Sequence, residues 1–199
     1  MLRKFSHDLR YFDHYREAII RLFAPKPEIL IQLKQTFPLI FSHPLTVGMH
    51  LRISSFWAFS GFKYIKKAIE FFPENTLFVI GSNRPSWVKA NLEKIFEKKH
   101  HFLLLENNHH VTDFYLLSHC HHNIITSGTF GYWVAYLNNN SNKTVIAPST
   151  WFATFHKKFH GFPANGNFYP NEWIVLDIPK ARPIRRGETA KHQTSSLFD

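Results

Sequence analysis

Two short stretches carry the residue types that bind phosphate. The first is Gly48-Met49-His50-Leu51-Arg52, at the end of an apolar run that starts at Thr46. An arginine at the carboxyl end of a strand presents a flat fork of N–H groups that matches two phosphate oxygens. His50 lies two residues earlier, so in an extended chain it points to the same side as Arg52. The position also suits a plainer role, a cation at the rim of a sheet paired with an acid. The second stretch is Thr126-Ser127-Gly128-Thr129-Phe130-Gly131, between an apolar run and a helical one. Small hydroxyl residues and glycines there let backbone N–H groups approach an anion, with the helix dipole assisting. Ordinary turn and capping chemistry uses the same residues. Asp113 is a third candidate. Near a helix start its carboxylate compensates the dipole, and the same carboxylate suits the paired N–H groups of a guanine edge.

The run His119-Cys120-His121-His122 has the residue types of a metal site. Its side chains alternate or wind too quickly to converge on one ion, and no second Cys/His pair stands at zinc-finger spacing. No metal site is expected there. The histidine pairs 100–101 and 109–110 read as surface residues. Cys120 is the only cysteine, which excludes an internal disulfide and fits a reducing compartment.

These residues need elements to hold them. Residues 8–23 place Leu9, Phe12, Tyr15, Ile19 and Leu22 near one helical face, and Pro25 and Pro27 close that segment. A second short helix is expected over 28–36. Strands are expected at 46–51, 76–80, 101–105, 123–126 and 143–147, and helices at 61–72, 85–98, 111–119 and 130–137. Short apolar strands separated by helix-length segments predict a parallel sheet with helices on both faces. In such a sheet ligands sit where strand ends meet helix starts. The loops at 50–60, 81–85, 106–112 and 126–130 are therefore the ones to watch.

The whole chain has 199 residues, 44% hydrophobic and 17% aromatic with 21 Phe, so a ring-rich core is expected and disorder is not. Its formal charge is +10, from 24 Lys and Arg against 14 Asp and Glu. That excess suits an anionic partner. The charge is scattered, with its densest runs at 98–101 and 180–186, and no basic stripe tracks a phosphate backbone, so nucleic acid is not expected. No apolar run is long enough to span a bilayer, and no signal peptide follows Met1-Leu2-Arg3-Lys4-Phe5. Any membrane association is expected to be peripheral. The segment 182–199 reads as a polar tail.

The stretch from Asp113 to Leu137, DFYLLSHCHHNIITSGTFGYWVAYL, closely resembles a block of the alpha-1,2-fucosyltransferase family, glycosyltransferase family 11. Val47-Gly-Met-His50-Leu-Arg52 resembles the opening of that family's V-x-V-H-V-R-R-G-D-Y motif. Leu77 to Trp87 resembles its segment with S-[DN] followed by W. Val145-Ile-Ala-Pro148, Trp151-Phe152 and Glu172-Trp173 match further landmarks. The resemblance covers about residues 10–178.

It implies a GT-B-type enzyme with a Rossmann-like donor domain at 46–178, preceded by a helical lead-in at 1–45 and followed by a tail at 179–199. The N-terminal half, with its G-x-x-G-N-Q loop, has no counterpart here. The implied reaction moves L-fucose from GDP-fucose to the 2-hydroxyl of a galactose-containing glycan acceptor, with inversion and without a metal or other cofactor. Arg52 is the implied catalytic residue, facing the pyrophosphate. His50, Ser82, Asn83, Asp113, Ser127, Thr129 and Phe130 are implied donor-binding residues, with Asp113 reading guanine. One departure stands out: the family's Arg-Gly-Asp-Tyr after the first arginine is Ile53-Ser54-Ser55-Phe56 here. A non-catalytic nucleotide-sugar or glycan-binding module is the alternative this departure favours. The implied location is the cytoplasm or cytoplasmic membrane surface in a bacterium, and the Golgi in a eukaryote.

Overall fold

Apolar runs of three to six residues form the strands of one sheet. A computed structural model describes residues 8–53, 61–97, 99–149 and 168–177. β1 (Thr46–Leu51) is buried at every position and β2 (Leu77–Ser82) at all but its last. β3 (His101–Leu104), β4 (His122–Ile125), β5 (Val145–Pro148) and β6 (Ile174–Leu176) complete the sheet. Every pairing is parallel and the order is β3-β2-β1-β4-β5-β6. The chain is thus α/β, a parallel sheet with helices on both faces as its alternating pattern predicts, and the structure gives it the doubly wound strand order.

Side chains divide between the faces with the two-residue period of a strand. On one face Val47, Met49, Leu51, Phe78 and Ile80 pack against α4 (Gly61–Ile69), α5 (Pro85–Lys89) and α6 (Leu92–Ile95). On the other, Leu77 and Val79 meet Leu116, Leu117 and Val134, while Ile125, Val145 and Ala147 meet Tyr132, Ala135 and Tyr136. Those partners belong to α7 (His110–Ser118) and α8 (Thr129–Leu137). The α7–α8 side also receives the N-terminal helices α1 (Arg16–Phe23), α2 (Pro27–Thr36) and α3 (Pro38–Ser42), through Ile19, Leu33 and Ile40.

Three details differ from the sequence expectation. Residues 8–23 do not form one helix. Two 3-10 turns, Leu9–Tyr11 and Asp13–Tyr15, precede α1, and Phe12 between them departs from helical geometry at φ −142° and ψ −14°. That bend brings the Phe12 ring to 5.4 Å from both Trp133 and Tyr136. The expected helix over 85–98 breaks into α5 and α6 at Asn91, whose amide donates to the Trp87 carbonyl at 2.8 Å and so competes with the helix backbone. β6 and α3 were not anticipated, because three and five residues are too few to display a period. Ser54-Ser55-Phe56, Trp151-Phe152 and the tail lie outside the described residues. No helix among the described residues is long and apolar enough to cross a membrane.

Candidate functional site

From β1 the chain proceeds outward to β2, whereas β4, on β1's other flank, proceeds outward to β5. The loops leaving β1 and β4 therefore diverge, and a crevice opens between their carboxyl ends. Arg52 follows β1 and the 126–129 turn follows β4, so the sheet order brings the two sequence candidates to one place.

Their contact is direct. Gly128 has φ 131°, a conformation that L side chains rarely adopt, and a Cβ built on it would lie 3.5 Å from Arg52 Cγ. The stem of Arg52 therefore lies across this glycine. Thr126 sits beneath them, fully buried. Its Oγ1 accepts the Arg52 backbone N–H at 2.8 Å and donates to the His50 carbonyl at 3.0 Å. Arg52 itself is half-buried and makes no ion pair among the described residues.

His50 lies on the same side of β1 as Arg52, as the strand period requires. Its ring packs against Phe130 at 4.6 Å, tilted by 36°, and Gly131 leaves room for it, since a Cβ there would stand 3.1 Å from His50 Nδ1. Nδ1 is buried with no hydrogen-bond partner among the described residues. Burial pushes the imidazole down to about 3, with the Arg52 charge adding to the effect. The ring is therefore neutral at ordinary pH, and the positive charge of the crevice rests on Arg52.

Ser127 is buried and Thr129 is exposed at the start of α8. Gly128, the N-cap of α8, supplies no side-chain cap, so the first N–H groups of this helix are not capped by it. Ser82 Oγ donates to the Leu51 carbonyl at 2.7 Å and accepts the Arg84 N–H at 3.1 Å. Asn83 grips Ile53 twice: Oδ1 accepts its N–H at 2.8 Å and Nδ2 donates to its carbonyl at 2.9 Å. Both side chains thus face the exit of β1.

Asp113 lies in the first turn of α7 and accepts a bond from Asn108 Nδ2 at 3.0 Å. Burial raises its carboxyl above the usual range, against the lowering effect of that bond. Its neighbour Phe114 meets Phe130 edge-on at 5.4 Å, which joins this turn to the His50–Phe130 pair. Beside these rings a groove of about 450 Å³ runs between α7 and α8, lined by Val111, Phe114, Phe130 and Trp133. The His119–His122 run lies at the opposite end of β4. His121 and His122 each accept a backbone N–H, from Thr46 at 3.0 Å and Thr144 at 2.8 Å, and Cys120 is buried with its thiol pushed up to about 12. Among the described residues no group of three His, Cys, Asp or Glu could hold a metal ion.

The sequence reading included Thr126 in the candidate turn but gave it no role of its own. Its signal was present: a hydroxyl residue closing an apolar run directly before the glycine turn.

A doubly wound sheet with a crevice at its switch point is the architecture of nucleotide-binding Rossmann-like proteins. The chain belongs to glycosyl transferase family 11, whose family model matches residues 50–177. It is similar to the O-antigen biosynthesis glycosyltransferase WbnK of Escherichia coli, 24% identical over 174 residues that cover 78% of this chain and 56% of the relative. An alpha-1,2-colitosyltransferase of Escherichia coli is 24% identical over 189 residues, 87% of this chain and 61% of the relative. Galactoside alpha-(1,2)-fucosyltransferase 2 of Oryctolagus cuniculus is 26% identical over 198 residues, 89% of this chain and 53% of the relative. The chain spans about half the length of these curated relatives.

Proposed function

We propose that this chain is the donor-binding half of a GT-B-type glycosyltransferase that uses GDP-L-fucose and adds fucose to the 2-hydroxyl of a galactose-containing glycan. The observation that carries this reading is the Arg52 stem laid across Gly128 at the switch point, with no carboxylate paired to it among the described residues. A cation held there suits an anion such as a diphosphate. The names of the relatives, fucosyl- and colitosyltransferases with 1,2-linkages, support a deoxy-hexose donor.

In the reaction the acceptor hydroxyl attacks the anomeric carbon, the bond to the β-phosphate oxygen breaks, and GDP departs with inversion. Negative charge grows on that oxygen. Arg52 opposes it, and the N–H groups of Thr129 and Phe130 at the start of α8 add to the same field. His50 stays neutral and supports the turn through Phe130. In this reading Asp113 accepts the N–H pair of guanine. The arginine supplies the charge a metal otherwise would, so a chelator leaves GDP binding unchanged.

Calorimetric titration with GDP tests the site. Arg52→Ala is expected to weaken binding by about tenfold or more, the worth of a charge-assisted bond. GDP release with lactose-type acceptors tests the chemistry, with a fucosyl and a colitosyl donor compared. There Arg52→Ala is expected to cost about a hundredfold. GDP affinity unchanged in that variant would remove the donor site from this crevice.

A second reading rests on Ile53. The residue after Arg52 points to the α4 face, is 3% exposed, and packs in the apolar core. The family motif has a second arginine there, so this chain has one cation fewer in that motif. A nucleotide-sugar-binding module without turnover fits that change. Binding of GDP with no release from any donor, alone or with a complementary half, supports it.

A further inference from the structure

The exit of β1 is held more firmly than a loop needs to be. The paired ladder ends at Leu51 on the β2 side and at His50 on the β4 side. Beyond those points side chains take over the work of neighbouring strands. On one flank Thr126 accepts the Arg52 N–H at 2.8 Å and donates to the His50 carbonyl at 3.0 Å. On the other, Asn83 accepts the Ile53 N–H at 2.8 Å and donates to the Ile53 carbonyl at 2.9 Å, the two bonds a continuing strand would make. Ser82 closes the Leu51 carbonyl between them at 2.7 Å.

Thr126 is 0% exposed, so its hydroxyl reaches no ligand. A buried hydroxyl that satisfies the backbone on both sides of Leu51 acts through that backbone. We propose that Thr126 and Asn83 form a two-sided clamp and are positioning residues: they fix the Arg52 backbone past the end of the sheet so that its stem lies across Gly128 and the guanidinium is held ready for the ligand. Asn83 thereby acts one step away from the ligand. A long arginine side chain loses substantial rotamer freedom on binding, and a fixed root and a glycine floor reduce what remains to be lost. The clamp rests on the reading of Arg52 as the diphosphate-binding group.

The test uses the full chain and GDP as the probe. Thr126→Val keeps the shape and removes the hydroxyl; Asn83→Ala removes the amide; Thr126→Ser restores the hydroxyl. Thr126→Val and Asn83→Ala are each expected to weaken GDP binding about tenfold, and Thr126→Ser to recover it to within about threefold. In an Arg52→Ala background, followed by ligand-observed NMR at high GDP, Thr126→Val is expected to change affinity by less than about twofold, because the group it positions is gone. Equal losses in both backgrounds, or wild-type affinity in Thr126→Val, overturn the clamp. Should Thr126→Val not fold, amide exchange on the unmodified chain decides. The Arg52 and Ile53 amides are expected to exchange at least about a hundredfold slower than an open peptide, and exchange at the open rate overturns the clamp. Failure of the underlying reading looks different: the unmodified chain takes up no GDP, or Arg52→Ala binds it as well. Loss in Arg52→Ala with no loss in Thr126→Val removes the clamp alone.

Discussion

At the residue scale the crevice separates two cationic residue types by burial. Arg52 is half-buried, with its stem across Gly128. His50 is pushed down to about 3, first by burial and then by Arg52. An unfolded histidine titrates near 6.5. Between those values the unfolded chain binds more protons than the folded one, so stability is complete above about pH 6.5 and falls as pH is lowered toward about 3. His119 and His122, also held low by burial, act in the same direction. Replacing His50 by Gln removes its share. Urea midpoints of His50→Gln are expected to fall less steeply with acid than those of the wild type, and parallel curves would show that His50 takes up its proton at no cost to the fold.

At the element scale one close approach sets the position of α7. A Cβ at Gly48 would lie 2.6 Å from the Leu117 carbonyl oxygen and 2.8 Å from Asn123 Nδ2. Asn123 Nδ2 donates to that same Leu117 oxygen at 3.0 Å, so α7 and β4 meet over the bare backbone of β1. Neither neighbour is the free end of a flexible chain. Gly48→Ala is expected to destabilise by about 1–3 kcal/mol in urea unfolding, the usual cost of overpacking. On the other face Tyr64 fastens α4: its hydroxyl donates to the Ile125 carbonyl at 2.6 Å and reaches the Ile146 carbonyl at 3.2 Å. Tyr64→Phe leaves these buried carbonyls short of a donor and is expected to cost about 1–3 kcal/mol. Because Ile125 directly precedes Thr126, the same bond steadies the start of the glycine turn.

At the scale of the whole molecule the N-terminal segment and the last described residues are tied together across α8. Arg16 bonds Glu172 at 2.8 Å, and Tyr136 donates to Asp13 at 3.0 Å. Phe12, Tyr132, Tyr136, Phe168, Tyr169 and Trp173 share one ring-rich cluster there. The aromatic excess of the composition is thus partly spent on closing the chain over the helix that begins at the glycine turn. A donor bound at the proposed site would stabilise the fold. A ligand at about a hundred times its dissociation constant stabilises by roughly 2.7 kcal/mol. For a chain of this size GDP at that excess is expected to raise Tm by about 5–10 °C. Arg52→Ala should lose that rise at the same GDP concentration.

Local patterning alone determined that this chain forms a parallel sheet, because runs such as Leu77-Phe78-Val79-Ile80 suit only a strand covered on both faces. It also marked Arg52 and the 126–131 turn, since an arginine after an apolar run and a glycine turn before a helix are features of a few adjacent residues. The T-S-G-T turn at 126–129 and the family block were readable for the same reason. Strand order was not readable, because it depends on which distant runs pair. Only the tertiary structure placed β4 beside β1 and so put Gly128 under Arg52. It also assigned Thr126 and Asn83 to the exit of β1, contacts that span 74 and 30 positions along the chain. The burial of His50 depends on Phe130 and Gly131 from another element, and no stretch of sequence around position 50 contains that information.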